Sequence, residues 1–239
     1  MLVHGAFEKA RRYIITQSET KEKLQEKISQ GICITISRQA GAGANTVSDI
    51  LIDLLKSYRK KDTPEWTSFD KNLIEKVIED HHLPGTLAKI IEENKLTAVS
   101  SIVDELVTGL PDTWALIHKT FETILQLAQM GNVIIIGRGA NFLTANNPFA
   151  FHVRLTAPIE ERVKHVESHF NITHKEALDA VKKDDIDRKN FVRKFFHKEI
   201  EDPVNYDIII NTCRSGLEGS AKIIRCAVMG RFQSQFAKD

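Results

Sequence analysis

The chain has 239 residues, is 42% apolar, and carries 33 basic against 32 acidic residues, a formal net charge of +1. That length supports one substantial core, as one domain or one domain with a mobile insert. The balanced charge argues against a nucleic-acid-binding field, and no apolar run approaches the roughly 20 residues that span a bilayer. The first twelve residues, MLVHGAFEKARR, lack the apolar stretch of a signal peptide. Cys33, Cys213 and Cys226 are odd in number and widely spaced, which argues against a disulfide framework or a zinc site. The expectation is a soluble, cytoplasmic protein with neither a membrane nor a nucleic acid as partner.

In chain order, residues 6–29 predict a polar helix with a narrow apolar stripe at Phe7, Tyr13, Ile14, Leu24 and Ile28, ended by Gly31. Ile32 to Ile36 reads as a buried strand, with Cys33 a small core residue. A turn containing Gly41 and Gly43 follows, then a helix with Val47, Ile50, Leu51, Leu54 and Leu55 on one face. A strand feeding a tight turn and then a helix leaves unpaired amides at the helix start, an arrangement suited to phosphate. Against the pattern G-x-x-x-x-G-K-[ST], Arg38 replaces the first Gly, Ala44 the Lys and Asn45 the Ser/Thr. A plain structural turn can carry the same glycines, so two readings remain at this point.

The segment Ser57 to Pro64 reads as a loop feeding a short strand at Trp66 to Phe69, after which Asp70 caps a helix beginning at Lys71. From His81 to Asp112, Pro84-Gly85 and Gly109 to Pro111 break the chain into short helical pieces of a substrate-side flap. A helix from Thr113 to Met130 leads into the apolar strand Val133 to Ile136, an inner parallel strand by its composition. Phe151 to Leu155 is another strand, with a helix starting at Ala157-Pro158. Thr173 and Glu176 form a capping box. A charged helical segment runs from Lys182 to Lys198 until Asp202-Pro203 breaks it. Tyr206 to Asn211 is the last strand, and Gly216 to Met229 a closing helix with Ile223, Ile224, Ala227 and Val228 on one face. Strands alternating with helices predict an α/β fold, a parallel sheet covered on both faces.

Open parallel sheets bind ligands beyond the carboxyl ends of their strands. Arg138, between Gly137 and Gly139, sits at such an end and can reach an anion in the same crevice as the first loop. Arg188 and Arg193 can fold over a bound nucleotide and neutralise charge during phosphoryl transfer, with Asp185 orienting Arg188. The same mixed charges also fit a solvated, salt-bridged helix face. The histidines supply no metal set: His81 and His82 are adjacent, and the i, i+4 pair His165 and His169 has no clear carboxylate companion. No Gly-x-Ser-x-Gly elbow surrounds Ser37, Ser100 or Ser101.

Six motifs in order carry a resemblance: ITISRQAGAG (34–43), FDKNLI (69–74), IIGRGAN (135–141), APIEER (157–162), DIDR (185–188) and DPVNYDIIINT (202–212). Together they resemble the cytidylate kinase-like family, a divergent branch of the P-loop nucleoside monophosphate kinases, over about residues 31–230. The resemblance implies a P-loop NTPase kinase fold, with a parallel central sheet flanked by helices and a helical lid at about 172–200. Residues 1–30 would then be an N-terminal helical extension and 231–239 a tail.

By this resemblance Ser37, Arg38, Gln39, Gly41, Ala42, Gly43, Ala44, Asn45 and Thr46 would form the triphosphate loop. Gly137 and Arg138 would be the acceptor-side motif, and Lys182 to Arg193 the lid. The branch already lacks the usual loop Lys, so Ala44 is in keeping with it. The chain departs from authentic cytidylate kinases at Gly139, where an Asp follows the motif Arg. It departs also at Lys183, Ile186 and Asn190, positions often held by Arg.

In the resulting reading, an ATP-dependent kinase uses ATP with Mg²⁺ and transfers a phosphoryl group to a small phosphorylated acceptor, CMP or dCMP first. Arg38 substitutes for the missing Lys, and Arg188 and Arg193 arrive from the lid. Asn45 and Thr46 lie near Mg²⁺, while Asp70 serves as base if the acceptor is a hydroxyl. Two alternatives stand beside it: a non-catalytic nucleotide- or phosphate-binding module, and a kinase for a non-nucleotide metabolite. Monomer and homo-oligomer are both compatible with the sequence.

Overall fold

The computed structural model describes residues 31–60, 63–70 and 113–237. The helix expected over residues 6–29, the helix expected to begin at Lys71 and the flap expected between His81 and Asp112 lie outside the described residues.

Five strands form one parallel sheet in the order β2-β3-β1-β4-β5: β1 (Cys33–Arg38), β2 (Thr67–Phe69), β3 (Val133–Ile136), β4 (Ala150–Thr156) and β5 (Ile208–Asn211). The register pairs Cys33 with Val133 and Ala150, and Ile36 with Ile136 and Val153. The helices are α1 (Ala44–Lys56), α2 (Thr113–Met130), the short α3 (Ala140–Leu143), α4 (Ile159–Phe170), α5 (His174–Phe196) and α6 (Thr212–Arg231).

Both faces of the sheet are covered, which is why its inner strands are apolar without interruption rather than alternating. On one face Cys33, Val133, Ile135 and Phe69 meet Phe121, Ile124 and Leu127 of α2 and Phe195 of α5. On the other, Ile34, Ile36, Ile134, Val153 and Leu155 meet Val47, Leu51 and Leu55 of α1 and Ala221, Ile224 and Val228 of α6. Complete burial pushes the Cys33 thiol up to about 12, so it remains a neutral, small apolar filler. No helix among the described residues is long and apolar enough to cross a membrane.

Three boundaries differ from the sequence expectation. The charged segment is not a separate helix but the C-terminal half of α5, which opens at the Thr173–Glu176 capping box and ends at Phe196. His197, in the left-handed conformation at φ 52°, stops it by donating its amide to Arg193 O; Asp202-Pro203 instead starts a 3₁₀ turn. The closing helix begins four residues earlier than Gly216, which is a kink within α6 rather than its start. Ile223 is 41% exposed, and Ala221 takes its place on the buried face. The helical period assigned Ile223 to the apolar stripe, but the stripe facing α1 and β4 is narrower than that.

α5 is packed along its length. Ala177 and Val181 lie against Val163 of α4 and Ala40 of the glycine turn. Phe191, Phe195 and Phe196 join Phe121 and Phe142, with the Phe142 and Phe196 rings stacked 5.2 Å apart. The helix therefore crosses the carboxyl ends of β1 and β3 and closes one side of the crevice there.

Candidate functional site

β1 and β3 end side by side, and α5 lies over them, enclosing a cleft of about 340 Å³. Ser37 and Arg38 from β1, Gly137, Arg138 and Gly139 from the turn after β3, and Asn141 from α3 line one side. Asp184, Asp187, Arg188, Phe191 and Val192 of α5 line the other. The cleft thus gathers three guanidiniums from three separate chain segments.

The turn after β3 takes three consecutive residues through the left-handed region: Gly137 at φ 85°, Arg138 at 54° and Gly139 at 68°. Backbone strain of this kind at Arg138 concentrates at functional sites. Its guanidinium lies 5.7 Å from the centre of the Phe191 ring, a cation–π contact that spreads it along the cleft wall. Both glycines are required by close approach. A Cβ on Gly137 would stand 1.9 Å from Nη1 of Arg38, and one on Gly139 would stand 2.2 Å from the Phe196 ring. The second contact accounts for the departure at Gly139: the ring of Phe196 fills the space that an Asp side chain would need.

Gly137→Ala is therefore expected to displace the Arg38 guanidinium, a flexible group that can move, and to add about 1–2 kcal/mol of left-handed strain. The outcome to measure is a melting temperature lowered by several degrees together with weakened binding of inorganic phosphate.

Arg38 is held mostly out of solvent, and burial pushes its guanidinium down to about 9, with further lowering by Arg188 and Arg138. Asp70 and Asp184 act in the opposite sense, supporting its charge. Arg38 thus remains protonated at neutral pH. Burial is also the main cause that lowers Arg188, whose Nη2 donates to Asp184 at 3.0 Å and whose Nη1 donates to Arg38 O at 3.2 Å.

The expectation that Asp185 orients Arg188 is corrected here. One turn of helix separates the carboxylate that can reach Arg188, Asp184, from it, whereas Asp185 points toward α4. Its Oδ2 accepts from Arg162 Nη1 at 2.6 Å and its Oδ1 from the Ala40 amide at 2.7 Å. Arg162, 5% exposed, also donates to Ala40 O and Ala157 O. The Gly41 carbonyl accepts from His165 Nδ1 at 2.9 Å, so that nitrogen carries the proton. Gln39 is tied to the end of β4, its amide donating to Leu155 O and its Oε1 accepting from Ala157. The Ala40 and Gly41 carbonyls of the glycine turn are thereby satisfied by α4, and the Ala40 amide by α5.

The start of α1 is different. Gly43, left-handed at φ 78°, precedes the helix and provides no side-chain cap. Val47 is the residue whose amide first reaches back, to Gly43 O at 3.0 Å, which leaves the amides of Ala44, Asn45 and Thr46 without intrahelical partners. Ala42 and Ala44 have buried side chains in the core beneath, while Asn45 and Thr46 are exposed. None of residues 39–46 is among those lining the cleft. No group of three or more His, Cys, Asp or Glu side chains among the described residues could hold a metal ion.

Of the residues singled out in the sequence, the fold brings Ser37, Arg38, Gly137, Arg138 and Arg188 together in one cleft. Asp70, just after β2, stands near enough to Arg38 to act on its charge. Arg193 is not among the lining residues. It forms an exposed fork with Glu199, Nε to Oε1 at 2.8 Å and Nη2 to Oε2 at 3.0 Å. Sequence reasoning missed Asp184, Asp187, Asn141 and Arg154. Arg154 is 5% exposed, donates to Ser37 Oγ at 3.0 Å and lies over the Tyr206 ring at 5.6 Å. A cation inside the apolar strand AFHVRLT was the signal that could have found it.

The fold is thus a parallel α/β sheet with a cationic cleft at its strand ends and a glycine turn that opens into a helix. The model of the cytidylate kinase-like family matches residues 33–214, and the chain belongs to that family. It is 31% identical over 104 residues to the cytidylate kinase of Thermococcus kodakarensis, a segment covering 44% of this chain and 53% of that protein. It is 30% identical over 104 residues to the cytidylate kinase of Ignicoccus hospitalis, covering 43% of this chain and 59% of that protein. The chain thus spans little more than half the length of these curated relatives. Among solved structures, an uncharacterized protein from Eubacterium ventriosum shares the fold with a TM-score of 0.63, at 19% identity, covering 83% of this chain and 98% of that one.

Proposed function

We propose that this protein is an ATP-dependent phosphotransferase acting on a small phosphorylated acceptor, with CMP or dCMP the first acceptor to test. The observation that carries this reading is the convergence of Arg38, Arg138 and Arg188 on one cleft. Phosphoryl transfer asks little covalent chemistry of a protein; it asks for positioning and for positive charge around the oxygens of the transferring group. Arg138, fixed on the rigid turn after β3, holds the acceptor phosphate. Arg38, between Arg138 and Arg188, supplies the charge that a loop Lys would otherwise bring, since Ala44 at that position is a buried methyl. Arg188 adds charge from α5.

An ATP triphosphate fits the amides of Ala44, Asn45 and Thr46 as an anion fits any open helix start. The exposed Asn45 and Thr46 side chains offer the oxygen donors that Mg²⁺ prefers, and when bound the ion would neutralise phosphate charge. A phosphate acceptor is already ionised at neutral pH and requires no base, which leaves Asp70 the task of supporting Arg38. Because Arg193 is engaged with Glu199 away from the cleft lining, it has no part in this mechanism as the structure stands.

A coupled ADP-release assay across the nucleoside monophosphates tests the reading: turnover with at least one acceptor is expected, and none above background with any acceptor would reject it. The buried Ala44 favours one second reading, a nucleotide-binding module without catalysis. Tight binding of a non-hydrolysable ATP analogue in calorimetry, without phosphoryl transfer, would select that alternative.

A further inference from the structure

Arg154 is a cation that the mechanism above leaves unused. It lies on β4 in register with Ser37 of β1 on one side and Ile209 of β5 on the other. It is 5% exposed, yet among the described residues no carboxylate forms an ion pair with it. Its polar contacts are the Ser37 hydroxyl, which accepts from Nη1 at 3.0 Å, and the face of the Tyr206 ring at 5.6 Å. Arg162, just as buried, is instead held by the Asp185 carboxylate and by the carbonyls of Ala40 and Ala157. A cation taken out of water without a counter-ion is unfavourable, and a ring face offsets only part of that cost. Burial lowers Arg188 most, and Arg154 adds to it, so the charge of Arg154 is felt in the cleft.

The hydrogen bonds around Ser37 give that charge a route to the cleft. Tyr206 Oη stands 2.7 Å from Ile200 O and 3.3 Å from Ser37 Oγ. A carbonyl oxygen only accepts, so the single phenol proton is committed to Ile200 O. A guanidinium only donates, so Ser37 Oγ is the acceptor from Arg154. The Ser37 proton is therefore the one left to span the 3.3 Å to Tyr206 Oη, a long separation for two hydroxyls. Ser37 and Ile200 both line the cleft that holds Arg38, Arg138 and Arg188. A phosphate oxygen there offers the Ser37 proton a shorter and stronger bond than the phenol does. The charge-assisted bond from Arg154 polarises the hydroxyl and makes it a better donor.

We propose that Arg154 is a positioning residue of the cleft, acting on a bound phosphate through Ser37 rather than by contact. It holds the Ser37 oxygen, keeps the hydroxyl proton turned away from β4 and free for the ligand, and adds positive charge behind it. The proposal rests on the reading of the cleft as a phosphate site.

The test is a double-mutant cycle with the wild type, Arg154→Met, Ser37→Ala and the double variant, titrated calorimetrically with inorganic pyrophosphate. Melting curves without ligand accompany it. Each single variant is expected to weaken pyrophosphate about fivefold or more, and the double variant no more than about twofold beyond Ser37→Ala. Arg154→Met should melt at or above the wild-type temperature, because an apolar chain of similar length replaces an unpaired buried charge. Arg154→Lys, which returns a charged donor to the position, should recover most of the lost affinity. Losses that add in full, or an Arg154→Lys that binds as weakly as Arg154→Met, would overturn the proposal. So would an Arg154→Met that melts lower with its pyrophosphate affinity unchanged, the mark of a structural role. Should Arg154→Met not fold, Ser37→Ala decides alone, and unchanged affinity there overturns the proposal. In each of these cases pyrophosphate binding by the wild type leaves the phosphate-site reading intact. Failure of the wild type to bind pyrophosphate would instead remove that reading, and the proposal with it.

Discussion

Arg38→Ala is expected to lower kcat for phosphoryl transfer roughly 100-fold or more, the effect of removing one positioned charge that acts on the transition state. The guanidinium sits between Arg138 and Arg188 and is supported by Asp70 and Asp184, so it is already in place before any ligand arrives. Charge that is fixed in a water-poor site needs no reorganisation as the reaction proceeds, which is why its loss falls on kcat. Arg138→Ala makes the contrast. Its proposed contact is with the acceptor phosphate in the ground state, so the apparent KM for the acceptor should rise with a smaller change in kcat. Melting curves complete the comparison. Arg38→Ala removes one of three clustered cations, and the melting temperature should hold or rise slightly. Steady-state kinetics with ATP and CMP decide the matter: full kcat in Arg38→Ala would remove this residue from the mechanism, and a large loss of stability would make it structural.

The largest stability effect is expected at Arg162. This guanidinium is buried where α4, α5 and the glycine turn meet, and it donates to Ala157 O, Ala40 O and the Asp185 carboxylate. Arg162→Ala strands the Asp185 carboxylate, 28% exposed, and leaves two carbonyls without their donor. Breaking one side of a buried, hydrogen-bonded pair costs about 3–5 kcal/mol. At about 2–4 °C per kcal/mol for a chain of this size, the melting temperature should fall by roughly 10 °C. Arg162→Met combined with Asp185→Leu should recover the part of the loss that comes from the stranded charge, while Ala157 O and the Ala40 carbonyl and amide still lack their partners. A single variant that melts like the wild type would show that the pair contributes nothing to holding α5 over the strand ends. Loss of that anchor should also weaken phosphate binding, since Asp185 joins α5 to Ala40.

Much of the fold was legible because it is local. Uninterrupted apolar runs such as Val133 to Ile136 require burial on both faces, and that fixes a parallel sheet with helices on each side. The capping box at Thr173 and Glu176 set the start of α5 because both of its hydrogen bonds lie within four residues. Boundaries set by backbone conformation were not legible. Nothing in the residue types required His197 to turn left-handed and end α5, or Gly216 to kink α6 rather than begin it.

The site divides in the same way. By itself the sequence determined the glycine turn, the glycine-flanked Arg138 and the charged helix, since each is a short pattern whose chemistry follows from its own residues. Only the tertiary structure decided which charges meet. Asp184 and Asp185 are neighbours in sequence, yet a step of about 100° around the helix sends one to Arg188 and the other to Arg162. Arg188 and Arg193 are five residues apart, and that spacing places one in the cleft and the other in a fork with Glu199. Arg154 and Asn141 gain their meaning from what surrounds them: an apolar strand packed beneath Ser37, and a cleft wall that buries the Asn141 Nδ2 without a hydrogen-bond partner. Burial and the meeting of distant segments are properties of the packed chain, and no local pattern encodes them.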